Sequence, residues 1–243
     1  MAKRNVLLKK LANSSWGTNP ETLRTTAMAL CYSAAEYCAP VWANSCHVKK
    51  IDPELNNSCR IITGTLRATP LESVYRLAGI APPHIRRETR TRTQTFRQEY
   101  DPRHTLFGHI PPKKRLKSRN SFMSAKSLNP NEVSTARIEQ WKEWDNKLSE
   151  AVQDPTETLA CGTDLERKEW VALNRARSKV GRTAETLYKW RIAPSGECSC
   201  GASKQTMQHL LGDCSLGPKC LDSDLLECND TARAWIQFYR DKI

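Results

Sequence analysis

The sequence predicts a mainly α-helical protein made of a helical bundle, a basic linker and a helical C-terminal domain. Three observations support this class. Proline and glycine residues mark helix starts and stops, apolar residues recur every three or four positions, and few segments favour β-strands. The chain has 243 residues, of which 39% are hydrophobic and 26% are charged, so we expect packed helices rather than wholesale disorder.

Residues 1–100 are expected to form the bundle, because four helix start signals occur there. The start signals are Asn19-Pro20-Glu21, Asp52-Pro53-Glu54, the capping-box pair Thr69 and Glu72, and Pro82-Pro83. The stop signals are Pro40, Gly64 and Gly79. The expected helices cover about residues 22–36, 54–62, 71–78 and 84–100.

Residues 101–130 are expected to form an exposed basic linker, because prolines and cations replace the apolar pattern there. A long segment of this kind also marks a domain boundary. Its cations could hold a nucleic-acid backbone or act as a nuclear import signal. They are Lys113, Lys114, Arg115, Lys117 and Arg119.

Residues 131–243 are expected to return to helix and to form the C-terminal domain. Asn131 and Asp164 are the predicted capping residues of its first two helices. The expected helices run from 131 to about 152, from 164 to about 180, around 187–190 and over 231–240.

The charge of the chain is unevenly distributed. Residues 1–130 carry 22 lysines and arginines against 8 acidic residues, a net charge of +14, whereas residues 131–243 carry 16 against 18, a net charge of −2. A basic first half is typical of a surface that binds a polyanion such as nucleic acid. The alternative is an ordinary soluble face.

The sequence contains neither an apolar stretch long enough for a membrane span nor a secretory signal. We therefore expect an intracellular protein, nuclear or cytoplasmic, with reduced cysteines. Clustered cysteines in such a protein indicate metal ligands rather than disulfides.

The most specific motif is a C-x-C-x8-H-x4-C pattern between residues 198 and 214. Three thiolates and one imidazole suit a single structural Zn²⁺, because four protein ligands complete its tetrahedral shell. The predicted ligands are Cys198, Cys200, His209 and Cys214. Cys220 and Cys228 lie nearby and stay open as substitutes for one of them.

Four arginines in the helix expected over 84–100 are candidates for phosphate contacts, because planar guanidinium groups suit phosphate oxygens. They are Arg86, Arg87, Arg90 and Arg97. The alternative is that they only solvate a helix face, or pair with Glu88 and Glu99.

Catalytic signatures are absent from the sequence. Templated polymerisation needs clustered carboxylates for two metal ions, and no Asp-Asp pair occurs. Nor is there a phosphate-binding glycine loop or a nucleophile elbow. We therefore expect a binding protein rather than an enzyme.

Several stretches, taken in order, resemble one family. They are Leu7-Leu8-Lys9-Lys10-Leu11, Trp16-Gly17, Thr22-Leu23-Arg24-Thr25, Tyr37-Cys38-Ala39-Pro40-Val41-Trp42, Arg60-Ile61-Ile62-Thr63-Gly64, Leu77-Ala78-Gly79-Ile80-Ala81-Pro82-Pro83, Leu173-Asn174-Arg175, Leu187-Tyr188-Lys189-Trp190 and the Cys/His pattern. Their order and spacing are similar to the thumb and zinc knuckle of jockey-like LINE-type (non-LTR) retrotransposon reverse transcriptases. The resemblance covers residues 1–95 and 165–243.

The resemblance implies a thumb-like bundle over 1–100 and a zinc knuckle at 198–214, both binding RNA or DNA. In this family the endonuclease, fingers and palm would precede Met1, and the polymerase carboxylates would lie there. The chain would then be a binding-only fragment of the reverse transcriptase. Two alternatives are a host-recruited RNA- or DNA-binding adaptor and a non-functional relic of the element. Bases would pack on apolar knuckle residues such as Met207 and Leu210.

Overall fold

A computed structural model describes residues 2–112, 114–116, 120–145 and 154–243. Within these residues the protein is helical and contains no β-strand, which confirms the predicted mainly α class. No described helix is long and apolar enough to cross a membrane. The helices are α1 Ala2–Leu11, α2 Pro20–Ala27, α3 Ser33–Glu36, α4 Ala39–Trp42, α5 Val48–Thr63, α6 Leu71–Ala78, α7 Pro83–Tyr100, α8 Val133–Asp145, α9 Arg167–Arg177, α10 Ala184–Lys189, α11 Asp222–Glu227 and α12 Asp230–Tyr239.

The helix stop signals are confirmed at both glycines. Gly64 and Gly79 end α5 and α6 in the left-handed conformation, with φ of 72° and 59°. Each also allows a close approach: a Cβ on Gly64 would collide with Val171, and one on Gly79 with the backbone of Thr158. These glycines therefore end their helices and let residues 158–171 pack against the helix ends.

The helix start signals are confirmed only in part. The Asn19 side chain accepts a hydrogen bond from the Thr22 N–H at 2.8 Å and caps α2, as predicted. A π-helical stretch, Met28–Tyr32, joins α2 to α3. The predicted start at 52–54 is wrong, because α5 begins at Val48 and contains Pro53 in its exposed face. The predicted capping box at Thr69 is also wrong: Pro70 precedes α6, without a side-chain cap.

The N-terminal helices enclose a first hydrophobic core. Helices α1, α2, α5 and α6 contribute its main apolar side chains, and Trp141 of α8 is fully buried in the same cluster. The core includes Leu8, Leu23, Tyr32, Leu55, Ile62, Val74 and Ile80. The packing therefore places α8 with the bundle, although the composition assigns residues 131–145 to the C-terminal part.

The described part of the predicted linker folds back onto α7. The Thr95 hydroxyl donates to the Phe122 carbonyl at 2.8 Å, the Gln98 amide donates to the Leu106 carbonyl at 3.0 Å, and the Leu128 N–H donates to the Arg92 carbonyl. These contacts hold the segment beside the helix that carries the arginines. The linker cations Lys113, Lys117 and Arg119, and the end of the helix predicted to reach Val152, lie outside the described residues.

The C-terminal part builds a second core around the cysteine-rich segment. Helices α9, α11 and α12 pack together, and Trp235 is fully buried at the centre with its indole N–H donating to the Leu210 carbonyl at 3.0 Å. The core also contains Ala172, Leu173, Met207, Leu225, Ile236 and Tyr239.

Helix α9 joins the two cores through the C-terminal end of α5. The buried Arg167 guanidinium donates to the Ile61 and Ile62 carbonyls, both at 2.6 Å, and Trp170 donates to Ile62 at 3.0 Å. Burial, and then repulsion from Arg175, lowers the pKa of Arg167 to about 10, so the group is still cationic at neutral pH. A cation at this position satisfies carbonyls that a helix end leaves unpaired.

We predict that Arg167→Met lowers the free energy of unfolding by about 3 kcal/mol, because buried carbonyls lose a charged donor. The matched control is Lys168→Met, whose cation is only in a surface ion pair with Asp241 and should cost less than about 1 kcal/mol. Urea unfolding measures both. Equal stability of the two variants would contradict the role given to Arg167.

Candidate metal centre and basic surface

The fold brings the four residues of the Cys/His pattern together at the edge of the second core. The ligand atoms of Cys198, Cys200, His209 and Cys214 all lie within 4.8 Å of one another. The Cys198 and Cys214 sulfurs are 3.9 Å apart, and the Cys200 sulfur is 3.2 Å from His209 Nε2. Two sulfurs bound to one tetrahedral ion at about 2.3 Å lie about 3.8 Å apart, so the group could hold one metal ion.

Local backbone structure explains this convergence. A tight turn joins the first two ligands, with the Gly201 N–H donating to the Cys198 carbonyl at 2.9 Å and Gly201 at φ 92°. The next ligand follows a capped turn, because the Thr206 hydroxyl accepts from the His209 N–H at 3.1 Å. A π-helical stretch, His209–Asp213, then returns the chain, and the Cys214 N–H donates to the His209 carbonyl.

The surroundings favour a thiolate at Cys198. Burial raises the pKa of this thiol, but N–H donors from the Cys200 backbone and the Gln205 side chain outweigh burial and bring the pKa below its usual range. The Gln205 amide nitrogen lies 3.5 Å from the Cys198 sulfur. Thiolates are the form of cysteine that binds metal.

A buried phenol without a partner also fits a metal-bound sulfur. The Tyr239 hydroxyl is buried and makes no hydrogen bond of normal geometry within the described residues. Burial, followed by its closeness to Cys214, raises the pKa of Tyr239, so the phenol is a neutral O–H donor. A Cys214 thiolate held by a metal would accept from this group and satisfy it.

Cys220 and Cys228 lie outside this group of four. The Cys220 thiol faces the Leu221 carbonyl at 3.7 Å, and burial, followed by nearby Asp224 and Asp222, raises its pKa to about 12. Cys228 is buried in the second core. Both are therefore neutral buried thiols in this fold.

The expected base-packing residues of the knuckle are placed elsewhere. Met207 and Leu210 are 3% and 1% exposed and belong to the second core. The expectation that bases pack on them is therefore wrong, because these apolar side chains are already covered by protein. Exposed aromatic residues of the C-terminal part include Tyr188 and Trp190, at the end of α10. Their alternation with Lys189 and Arg191 was the available sequence signal.

Two of the four candidate arginines of α7 are buried in ion pairs. The Arg86 guanidinium binds Glu36 with Nε–Oε1 and Nη2–Oε2 distances of 2.5 and 3.1 Å, and Arg87 binds Asp52 at 2.5 and 2.9 Å. Arg86 also lies over the Tyr32 ring. Their donors are used by carboxylates inside the fold, so we do not assign phosphate contacts to Arg86 and Arg87.

The other two arginines face solvent along a cleft of about 740 Å³ between α7 and residues 33–41. Arg97 is exposed, and Arg90 is half-exposed with one nitrogen bound to Glu36 at 2.8 Å. In the described part of the linker, Lys114 and Arg115 are exposed as well. Among described residues, Arg97, Lys114 and Arg115 form no ion pair.

No protein-family model, curated protein or solved structure matches this chain. The resemblance to LINE-type reverse transcriptases consequently rests on the sequence stretches alone.

We predict about one tightly bound metal ion per chain and its loss in Cys200→Ser, Cys214→Ser, because the remaining two ligands cannot close a tetrahedral shell. Metal analysis of the purified protein measures this. Cys220→Ser is the matched control and should retain the ion. Retention of full metal content by the double variant would refute the assignment, and loss in Cys220→Ser would point to a different ligand set.

A second prediction separates buried from exposed arginines. Arg86→Gln should lower the free energy of unfolding by about 3 kcal/mol or more, because Glu36 would stay buried with only one cation. Arg97→Gln on the same helix should change it by less than about 0.5 kcal/mol, since its side chain is solvated. Thermal or urea unfolding compares them, and similar losses in both variants would contradict the packing of α7.

Proposed function

We propose that this chain is a zinc-stabilised nucleic-acid-binding module related to the thumb and zinc-knuckle end of LINE-type reverse transcriptases. The observation that carries the proposal is the convergence of Cys198, Cys200, His209 and Cys214 at ligand distances. The same four positions complete the knuckle pattern that the resemblance rests on. The chain would supply binding, and the catalytic carboxylates of such an enzyme would come from its palm.

Zinc is the ion that this ligand set favours. Three sulfurs and one imidazole nitrogen form a soft, four-coordinate set, which suits Zn²⁺ and leaves no position for a reactive water. The role of the ion would be structural. It would hold residues 198–214 against the second core, adding to their apolar contacts and to the hydrogen bonds of Gln205.

The nucleic-acid contact would be made by the exposed cations of the bundle and linker. Arg97 and Arg90 stand two turns apart on one side of α7, and Lys114 and Arg115 lie in the segment that follows this helix. Arg97, Lys114 and Arg115 are free of carboxylates among the described residues, and such groups can bind phosphates and release the counterions that surround them. Contacts of this kind position a nucleic acid without reading its sequence.

We predict that the triple variant Arg97→Gln, Lys114→Gln, Arg115→Gln lowers the slope of log K against log salt by about 2–3, because each phosphate contact contributes roughly 0.7–0.9. Fluorescence anisotropy with labelled RNA, duplex DNA and an RNA–DNA hybrid, over a range of salt concentrations, measures the slope. The affinity should fall alike for unrelated sequences.

The matched control removes three cations that are already paired on the surface. Lys168, Lys179 and Arg233 form ion pairs with Asp241, Asp222 and Asp164. Changing these three to Gln alters the net charge equally but should lower the slope by less than about 1. Equal slopes for the two triple variants would show that net charge alone, rather than this surface, determines binding. An absence of binding by the wild-type protein would refute the proposed function.

A further inference from the structure

At the C-terminal end of α10, a short segment exposes two aromatic rings and an aliphatic side chain to solvent. Tyr188, Trp190 and Ile192 are 52%, 44% and 65% exposed. Three large apolar side chains exposed within five consecutive residues make this segment a candidate binding site. The rings stand at the end of α10 and in the turn that follows it, so they are separate from the cleft beside α7.

The turn that presents these rings is held in a defined shape. The Ile192 N–H donates to the Leu187 carbonyl at 2.9 Å, and the Arg191 N–H donates to the Tyr188 carbonyl at 2.8 Å. This is the hydrogen-bond pattern of a Schellman motif, in which the residue after the cap is usually glycine. Here that residue is Arg191, at φ 60°. Arg191 therefore has a strained backbone conformation, at a position where glycine would fit without strain.

One side chain links this segment to the candidate metal centre. The Gln205 amide oxygen accepts from the Ala184 N–H at 2.9 Å, the Gln205 carbonyl accepts from the Glu185 N–H at 3.3 Å, and its amide nitrogen faces the Cys198 sulfur. The start of α10 is thus fixed to the residues between the first and second pairs of ligands. Tyr188 and Trp190 therefore lie at the end of a short helix whose start is held by these hydrogen bonds.

The charged residues that neighbour Tyr188 and Trp190 in the sequence indicate which class of partner fits this segment. Residues 182–205 contain four cations and two carboxylates, and one of these, Glu185, is largely buried and paired with Lys189 at 3.1 Å. Arg191, directly after Trp190, is exposed. Rings flanked by cations match a polyanion that carries flat aromatic groups, which is a nucleic acid with unpaired bases. A duplex keeps its bases stacked inside and offers only phosphates to such a surface.

We propose that Tyr188, Trp190 and Arg191 form a stacking site for unpaired bases, so that this end of the protein binds single-stranded nucleic acid. The inference rests on the proposed nucleic-acid-binding function and deepens it by naming the strand class. The two rings stack on bases, and Arg191 contacts the adjacent phosphate.

The test compares oligonucleotides with and without bases, using the full chain in its metal-loaded form. The ligands are a labelled thymidine oligomer of roughly twelve nucleotides, within the site sizes of single-strand binders, an abasic oligomer of the same length, and a duplex. Trp190→Ala should weaken binding of the thymidine oligomer at least about fivefold and leave its salt slope unchanged, because stacking releases no counterions. Binding of the abasic oligomer and the duplex should stay as in wild type.

Three further variants separate stacking from structure. Trp190→Phe should restore most of the affinity, because a ring is kept. Arg191→Gly should lower the salt slope on the single strand by about 0.7 while preserving the turn, which glycine fits better. Trp16→Ala removes a tryptophan that is 55% exposed at the other end of the chain and should have no effect. Metal content and thermal unfolding confirm that each variant is folded.

The outcomes distinguish the inference from the function on which it rests. If the wild-type protein binds nucleic acid but Tyr188→Ala and Trp190→Ala bind the thymidine oligomer as tightly as wild type, the stacking site is refuted and the proposed function stands. Equal losses on the abasic oligomer or the duplex would likewise refute it, since the rings would then act through structure alone. No binding of any oligomer by wild type would refute the proposed function itself.

Discussion

The relative position of the two cores depends on α9, whose polar side chains donate to backbone carbonyls of other segments. Arg167 and Asn174 donate to the last carbonyls of α5, Arg175 donates to the C-terminal Ile243, and Arg177 donates to Leu225 and Leu226 at the end of α11. Within the described residues, neither Arg167 nor Arg177 has a carboxylate partner. Their charge is balanced by helix dipoles and oriented carbonyls instead. Because α9 contacts both cores, its donors fix the position of the cysteine-rich segment relative to the bundle.

Because several arginines are buried in the fold, the net charge of +12 does not measure how many cations are available at the surface. Arg24 donates to the Ala78 and Gly79 carbonyls at the end of α6, and Arg86 is enclosed with Glu36. Such arginines stabilise the fold and offer nothing to a polyanion in solution. A count of lysines and arginines therefore overstates the surface that a polyanion could contact, which consists of the cations that are both exposed and unpaired. The resulting surface is smaller, and beside α7 and its following segment it includes Arg97, Lys114 and Arg115.

Features that depend on local chemistry could be predicted from the sequence, whereas features that depend on long-range packing could not. Gly64 and Gly79 end their helices as expected because a left-handed residue is a local requirement. The four candidate metal-ligand positions could be named from their spacing and from the family resemblance, with Cys220 and Cys228 left open as substitutes. The partners of Arg86 and Arg87, by contrast, lie 50 and 35 residues away, and no local pattern reports them. The burial of Met207 and Leu210 likewise depends on α12, which follows them in the chain.

The candidate metal centre and the cleft beside α7 are connected to the rest of the fold by different hydrogen bonds. Gln205 connects the ligand segment directly to the start of α10, so ordering of residues 198–214 also orders the turn that carries Tyr188 and Trp190. The contacts between α9 and α5 use backbone carbonyls and none of the four ligands. Loss of the ion would therefore loosen the aromatic turn while the arginines of α7 keep their positions. The proposed single-strand site would depend on a bound metal, and the proposed phosphate contacts of the bundle would persist without it, because the two surfaces rest on different hydrogen bonds.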